Sequence, residues 1–552
     1  MKINFWNTKV SFLFIFLFFF LYFIIGLFIY EDYGISIDEP IHRTFGYYWY
    51  FWLLKFFSFN SESIILIEKK FLSADPDWVM HLLNGESLWY GPFFDLLTVF
   101  LEDKLNITDT KNIYHLRHLI NFIFFYLSSI CLFFLLKFRF KNNLLSFTGV
   151  IFYVTAPRIF AESFYNPKDI IFMSLSVFCI FYSLKSLENF KILNLLKLSF
   201  FCAIATNVRI IGIIFPVIFF FLFFINSFEI KNYLKKKLFL FLYFILSYFT
   251  FLIILWPYLW IDTFSNLINV FTAYKNVVGG TNFYLGEYIS SKHLPWHYIF
   301  VWVGITLPII YLPLIIYSIF LLIKKFFINF LSIKKNELLF KKKIETYDFF
   351  LLIYLFLPIF YFITLNKPLI GGWRYLYFIF PSLIYFVIFS IDKIINLKIS
   401  LFLRNFFFIF IFFSIFYNIY NLVKLHPFQN IYFNNFVEKK ANQLFEVDYW
   451  GLANVDAIDR VLKDIDPNKS NSIRTLSFTP LHYSAFLIND PLINKIKFSG
   501  TVNNNQDYIF TNYVYENNPK LLKKYNLPEN YFKFFSFKIG NVLIYDIFKK
   551  KL

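Results

Sequence analysis

Residues 10–40 read VSFLFIFLFFFLYFIIGLFIYEDYGISIDEP. Val10 to Tyr30 is an apolar run long enough to cross a bilayer, with Lys2 and Lys9 ahead of it. No small-residue cleavage site follows, which predicts an uncleaved anchor with its N-terminus inside. Gly34-Ile35-Ser36-Ile37-Asp38-Glu39-Pro40 comes directly after, so two adjacent carboxylates stand where a span meets water. Charge at that level is costly unless something uses it. One use is a helix cap, since Pro40 suits a first helical turn and a preceding acid offsets the helix dipole. The other use is chemistry.

Composition sets the class. The chain has 552 residues, 58% of them hydrophobic and 25% aromatic, with a mean hydropathy of +0.57. Repeated apolar runs of about 20 residues predict membrane helices. The net charge of +18 does not point to nucleic acid, because the lysines cluster in short loops between apolar runs. That is the positive-inside pattern. Cys131, Cys179 and Cys202 all fall inside apolar runs, which excludes a disulfide framework or a cysteine metal cluster.

After the first span a long outer loop runs over about residues 31–112. Ile41, Phe45, Trp49, Trp52, Leu53 and Phe56 recur at the spacing of an interfacial amphipathic helix. A second apolar helix is expected over 93–105, with Asp75-Pro76-Asp77 and Tyr90-Gly91-Pro92 as turns between them. Further spans are expected at 113–136, 144–157, 168–187, 192–206, 210–227, 238–256, 298–323, 348–364, 373–390 and 402–423. Residues 192–227 read as one long helix or as two short ones broken near Asn207-Val208-Arg209. Charge decides for two. The loops with Lys137/Arg139/Lys141, Lys185/Lys191, Lys231/Lys235–Lys237, Lys324–Lys343 and Lys393/Lys398 then all lie inside. The predicted fold is an α-helical polytopic membrane protein of about eleven spans, with its C-terminus outside.

Composition shifts near residue 424, dividing a membrane domain (1–423) from a tail (424–552). In the tail 452–464 reads as helix, and Thr475–Phe478, Tyr508–Phe510 and Val542–Tyr545 read as strands. This predicts a small α/β domain on the outer face, able to fold as a fragment from about Pro427. It carries no Gly-rich phosphate loop and no metal-ligand spacing.

The eleven-span topology brings several loops to the side of Asp38-Glu39: Arg158 through Asp169, Asn207-Val208-Arg209, Trp256-Pro257-Tyr258 and Gly371-Gly372-Trp373-Arg374-Tyr375. Carboxylates can accept a proton or hold a metal, and arginines can hold a phosphate. Each piece also has a plain structural use. Asn166-Pro167-Lys168-Asp169 makes a good helix start, Arg209 can snorkel to the interface, and Arg374 can meet lipid headgroups. His42, Asp75 and Asp77 read as solvated, and Glu86 as a weaker site candidate.

An Asp-Glu pair just after span one resembles the signature of C-type glycosyltransferases, above all the protein O-mannosyltransferase and lipid A aminoarabinose transferase group. The similarity continues in order over about residues 5–390. Gly91-Pro92-Phe93-Phe94 with Asp95 resembles the motif of the second loop helix, and Arg117 falls at the family's arginine in span two. Asp169 matches an acid opening span four, and Arg209 a basic residue between two short spans. Gly372-Trp373-Arg374-Tyr375-Leu376 resembles a late-span motif, with the arginine displaced. His426 through Tyr432 and Asp448-Tyr449-Trp450-Gly451 have no counterpart, which marks a distinct branch.

The resemblance implies a transferase that takes a sugar from a polyprenyl-phosphate carrier at the outer (periplasmic) face of a bacterial inner membrane. Its acceptor would be a hydroxyl on a protein, lipid or glycan. Asp38 is then the base, with Glu39 orienting it or meeting the acceptor. Arg158, Lys168, Arg209 and Arg374 with Tyr375 are phosphate-side candidates, and Asp169 is a sugar-side or supporting group. No cofactor is required, and the resemblance leaves a divalent metal open. The rival class is a lipid-linked sugar flippase or transporter. Such proteins commonly carry internal repeats and midplane sites, and neither is visible here.

Overall fold

A computed structural model describes residues 8–228, 234–275, 279–332, 340, 342–499, 505–515 and 526–551. Lys2, Lys231, Lys334, Lys335 and Lys341 lie outside the described residues.

The chain opens with α1 (Thr8–Ile29), whose side chains are largely exposed to the surroundings, as a lipid-facing helix requires. The outer loop then folds as four helices: α2 (Glu39–Phe56), α3 (Ser61–Leu72), α4 (Pro76–Leu83) and α5 (Phe93–Lys104). They close over a small core of their own, built on Phe45, Tyr47, Leu54, Phe71, Leu82 and Val99. The Asp75-Pro76-Asp77 turn is in fact a helix start. The Asp75 carboxylate accepts the Trp78 N–H at 3.2 Å, and Pro76 takes the first position. Its other oxygen accepts the Tyr483 hydroxyl of the tail. Asp75 is therefore buried and not solvated as the sequence suggested; Asp77 is exposed.

Next come α6 (Thr110–Phe140), α7 (Asn143–Val154), α8 (Pro157–Tyr165), α9 (Asp169–Glu188), α10 (Ile192–Val208), α11 (Ile214–Phe228) and α12 (Leu234–Ile254). After α13 (Thr263–Lys275) and the hairpin β1 (Thr281–Tyr284) and β2 (Glu287–Ser290) come α14 (Tyr298–Thr306), α15 (Tyr311–Ser332), α16 (Lys343–Thr364), α17 (Phe380–Ile395) and α18 (Leu401–Leu425). Seven helices among the described residues are long and apolar enough to span a membrane. Three shorter apolar helices and the pair α7/α8, bent by 68°, add to them.

The expected break at Asn207-Val208-Arg209 is present, with a short 3-10 turn over Ile210–Ile213 before α11. The expected continuous span 298–323 is not. It divides between Thr306 and Tyr311, where Pro308 lacks a donor and pushes Leu307 into extended backbone at ψ 149°.

The tail holds α19 (Ala441–Leu444), α20 (Asn454–Leu462) and a five-stranded sheet of β3 (Asn471–Thr475), β4 (Ile496–Ser499), β5 (Tyr508–Thr511), β6 (Tyr531–Ile539) and β7 (Val542–Lys550), in the order β4-β3-β5-β7-β6. The expected first strand lies a few residues earlier than Thr475–Phe478, and β4 and β6 are additional. The compositional boundary at 424 does not mark a break in packing. Asn434 donates to the carbonyls of Gly304 and Leu307, and Phe433 and Phe445 pack on Trp302. Phe486 stacks on Tyr114 at 5.8 Å. A fragment starting at Pro427 would expose those aromatic faces, so the expected independent fold does not follow from this packing.

Candidate functional site

The Gly34–Pro40 segment reaches its place by close backbone approach. A Cβ on Gly34 would lie 2.3 Å from the Leu452 carbonyl oxygen, and the Ile37 N–H donates to the Trp450 carbonyl at 3.2 Å. Asp38 sits at the N-cap position of α2 but makes no capping hydrogen bond. Its carboxylate instead accepts from Arg374 Nη1 at 2.8 Å. The cap reading of Asp38 is therefore not what the structure holds. The Glu39 carboxylate, at the first position of α2, accepts the Ser36 N–H at 2.7 Å and lies 3.0 Å from His118 Nε2, and both side chains are fully buried. That contact closes the turn that leads into α2. The two acids are adjacent in sequence and different in setting: the Asp38 side chain is 28% exposed and that of Glu39 0%.

Asp169 opens α9, and Asn166 is the residue that turns the chain into it. The Asn166 amide oxygen accepts the N–H groups of Lys168 and Asp169 at 3.3 and 2.8 Å. Asp169 is thereby free to face two arginines: Arg209 contacts one carboxylate oxygen directly, and Arg374 Nη1 stands 3.7 Å from the other. Arg209 does not snorkel outward; it points back to this acid. The Tyr375 ring lies 4.8 Å from the guanidinium carbon of both arginines. Asp38, Arg374, Asp169 and Arg209 thus form one chain of alternating charge, with Tyr375 against it.

Lys168 stands beside the chain and is half-buried. Among the described residues no carboxylate pairs with its ammonium, which lies 3.9 Å from the centre of the Tyr90 ring. Burial, and then the neighbouring Arg209, push this ammonium down to about 7, against the pull of Asp95, Asp169 and Asp38. Burial also opposes ionisation of Asp38, but Arg374, His42 and Lys168 outweigh it and hold the carboxyl below its ordinary range. Two carboxylates and two arginines cancel, so the cluster's spare charge rests on Lys168.

Arg158 is not brought to this cluster. Its guanidinium donates to the Tyr432 carbonyl at 3.3 Å and lies over the rings of Phe433 and Trp302. His42, read from sequence as solvated, lies 3.0 Å from Asp95, and Arg117 donates to Thr98 at 2.6 Å beside the same acid. These contacts hold α5 against α2 and α6. Glu86 is exposed and meets His81, away from the cluster. Two residues of the Asp448-Tyr449-Trp450-Gly451 stretch also reach the cluster; the sequence reading has Trp450 facing the membrane domain, and does not single out Tyr449. Tyr449 and Trp450 of the tail lie with ring centroids 5.0 and 4.7 Å from the Arg374 guanidinium carbon. Glu162, also missed, is buried with Tyr377 and Asn166 as its donors.

An apolar cleft of about 550 Å³ lies between α2, α3, α5 and the end of α12, lined among others by Leu53, Leu66, Leu97, Phe100 and Trp260. Phe93 and Leu255 also line it, and Asn207 ties the two together. The Asn207 side chain accepts the Phe93 N–H and donates to the Leu255 carbonyl, both at 2.9 Å. Gly91 packs so tightly on Asn207 that a Cβ there would fall 2.0 Å from its carbonyl oxygen. Asn207 thus joins two lining residues of the cleft to the segment that ends, two residues on, at Arg209. Among the described residues no group of three or more His, Cys, Asp or Glu is placed to hold a metal ion.

No protein-family model matches the chain, and no curated protein matches it. The class that fold and site define is a helical integral membrane protein with a charged cluster at one end of its spans.

Proposed function

We propose that the chain is a membrane glycosyltransferase of the C type. It would move a sugar from a polyprenyl-phosphate-linked donor to an acceptor hydroxyl at the outer face of the membrane. The observation that carries this reading is the alternating cluster Asp38–Arg374–Asp169–Arg209 with the spare cation Lys168, in a chain whose apolar cleft is tied through Asn207 to the segment leading to Arg209. A lipid-linked phosphosugar needs both environments at once, a charged site for its phosphodiester and an apolar one for its tail.

In this reading Asp38 takes the proton of the acceptor hydroxyl as its oxygen bonds to the anomeric carbon. The bond from that carbon to the phosphate oxygen breaks, and the anomeric centre inverts. The departing lipid phosphate gains negative charge, which Arg374, Arg209 and Lys168 stabilise. The Arg374 contact makes resting Asp38 a weak base. A donor phosphate that draws Arg374 to itself weakens that contact, so Asp38 becomes a better base with the donor in place. Glu39 serves as framework, holding the turn before α2 against His118.

Lys168 supplies a pH test. A group whose ammonium titrates near 7 is charged below that pH and neutral above it. Affinity for polyprenyl phosphate should therefore fall as pH rises through about 7, beyond the change that the phosphate's own ionisation produces. Lys168→Met should bind more weakly and lose this extra dependence. An unaltered pH profile in Lys168→Met would remove Lys168 from the phosphate site.

The eleven-span topology belongs to the same reading. The seven long helices, the bent pair and the three shorter helices supply the segments. A reporter fused after Lys343 should read cytoplasmic, and one after Leu552 external. The same side for both would overturn the topology and, with it, the placing of the tail beside Asp38 on the outer face.

A further inference from the structure

Asp448-Tyr449-Trp450-Gly451 lies 75 residues beyond Arg374 yet turns onto it. We propose that Tyr449 and Trp450 are positioning residues that hold the Arg374 guanidinium between Asp38 and Asp169. The functional side of this inference rests on the reading that Arg374 serves a donor phosphate.

The first support is the contact itself. Two of the three aromatic rings around this guanidinium come from the tail, and Arg374 Nη2 also donates to the Tyr449 hydroxyl at 3.3 Å. The second is how firmly the turn is fixed. The Asp448 carboxylate accepts the N–H groups of Leu452 and Ala453 at 3.2 and 3.1 Å, and the Asn430 side chain at 3.0 Å. The same turn touches both partners of the ion pair. The Trp450 carbonyl accepts the N–H of Ile37, next to Asp38, and Gly371, three residues before Arg374, has left-handed backbone with its Cα against the Tyr449 ring. The third is the shortage of other anchors. Asp169 pairs with Arg209 and stands 3.7 Å from Arg374, so among the described residues Asp38 is the one carboxylate in hydrogen-bond contact with Arg374, beside the Ile370 carbonyl and the hydroxyls of Tyr375 and Tyr449. Aromatic faces hold a cation without neutralising it. A third carboxylate would fix Arg374 as well but would cancel the charge a phosphate needs.

The test uses the full chain with Tyr449→Leu, Trp450→Leu and Tyr449→Phe. The first readout is the rate at which phenylglyoxal modifies Arg374, followed by peptide mass spectrometry; it needs no substrate. Both leucine variants should speed modification by about tenfold, the size of a lost cation–π contact. Tyr449→Phe, which keeps the ring, should stay near the wild type. Arg117 and Arg139, both buried elsewhere, serve as internal controls. An unchanged Arg374 rate in both leucine variants overturns the proposal. A rise shared by Arg117 and Arg139 also overturns it, because that is general loosening. The second readout is affinity for undecaprenyl phosphate in detergent, expected to fall about tenfold in the leucine variants and to be kept in Tyr449→Phe. Selective exposure of Arg374 in a protein whose wild type binds no polyprenyl phosphate upholds the positioning role and overturns the donor reading instead.

Discussion

Asp38→Asn is expected to lower sugar transfer by about 10²–10⁴ while leaving donor binding intact. The substitution keeps the shape and removes the proton acceptor. Asn caps helices about as well as Asp, and Asp38 makes no capping bond in any case, so helix α2 should be unaffected. The Arg374 contact at 2.8 Å loses its charge partner. Donor affinity should therefore hold or rise, since Arg374 is freed for phosphate. Glu39→Gln is the comparison that separates the two acids. Glu39 is buried against Ser36 and His118, so Gln there should lower thermal stability and reduce transfer only through the folded fraction. Full transfer by Asp38→Asn beside a folded but inactive Glu39→Gln would move the base to Glu39.

Arg209→Ala should have the second-largest effect, on binding and on stability together. Asp169 is 2% exposed, and removing its closest cation leaves a buried charge whose remaining partner, Arg374, is 3.7 Å away. Breaking a buried pair from one side costs about 3–5 kcal/mol; Arg374 places this case at about the low end of that range. Arg209→Lys should recover part of it, because a point charge replaces a planar fork. The double variant Asp169→Asn/Arg209→Gln should restore stability, since neither side is then charged, but should not restore donor affinity. A snorkelling arginine would give a different result: Arg209→Ala with unchanged melting and unchanged donor binding.

Much of this was legible in the sequence, and for a physical reason. Spans announce themselves because lipid demands unbroken apolar length, so α1, α6 and α9 could be read from hydropathy alone. The break before Arg209 was legible from loop charge. The cap at Asn166 was legible because capping is local. What failed was non-local or depended on a single residue. Pro308 divides a stretch that hydropathy joins. Asp75 meets Tyr483 across 408 positions, and Tyr449 meets Arg374 across 75; no periodicity encodes either contact. Asp38 and Glu39 are adjacent in sequence, yet one meets Arg374 and the other Ser36 and His118, and no local pattern separates those settings. Arg158 was grouped with the cluster because it lies on the same loop, but the side chain turns to Tyr432, Phe433 and Trp302.

A transferase of the proposed kind breaks the bond between a sugar and a polyprenyl phosphate. The direct measurement is the fate of a doubly labelled polyprenyl-phosphate-sugar in proteoliposomes containing the purified full chain, with a soluble acceptor hydroxyl outside. Sugar label should leave the lipid, polyprenyl phosphate should accumulate in step with it, and Asp38→Asn should slow both by about 10²–10⁴. Donor that crosses the bilayer with its sugar still attached, at the same rate in wild type and Asp38→Asn, would overturn the transferase reading and identify a lipid-linked sugar carrier.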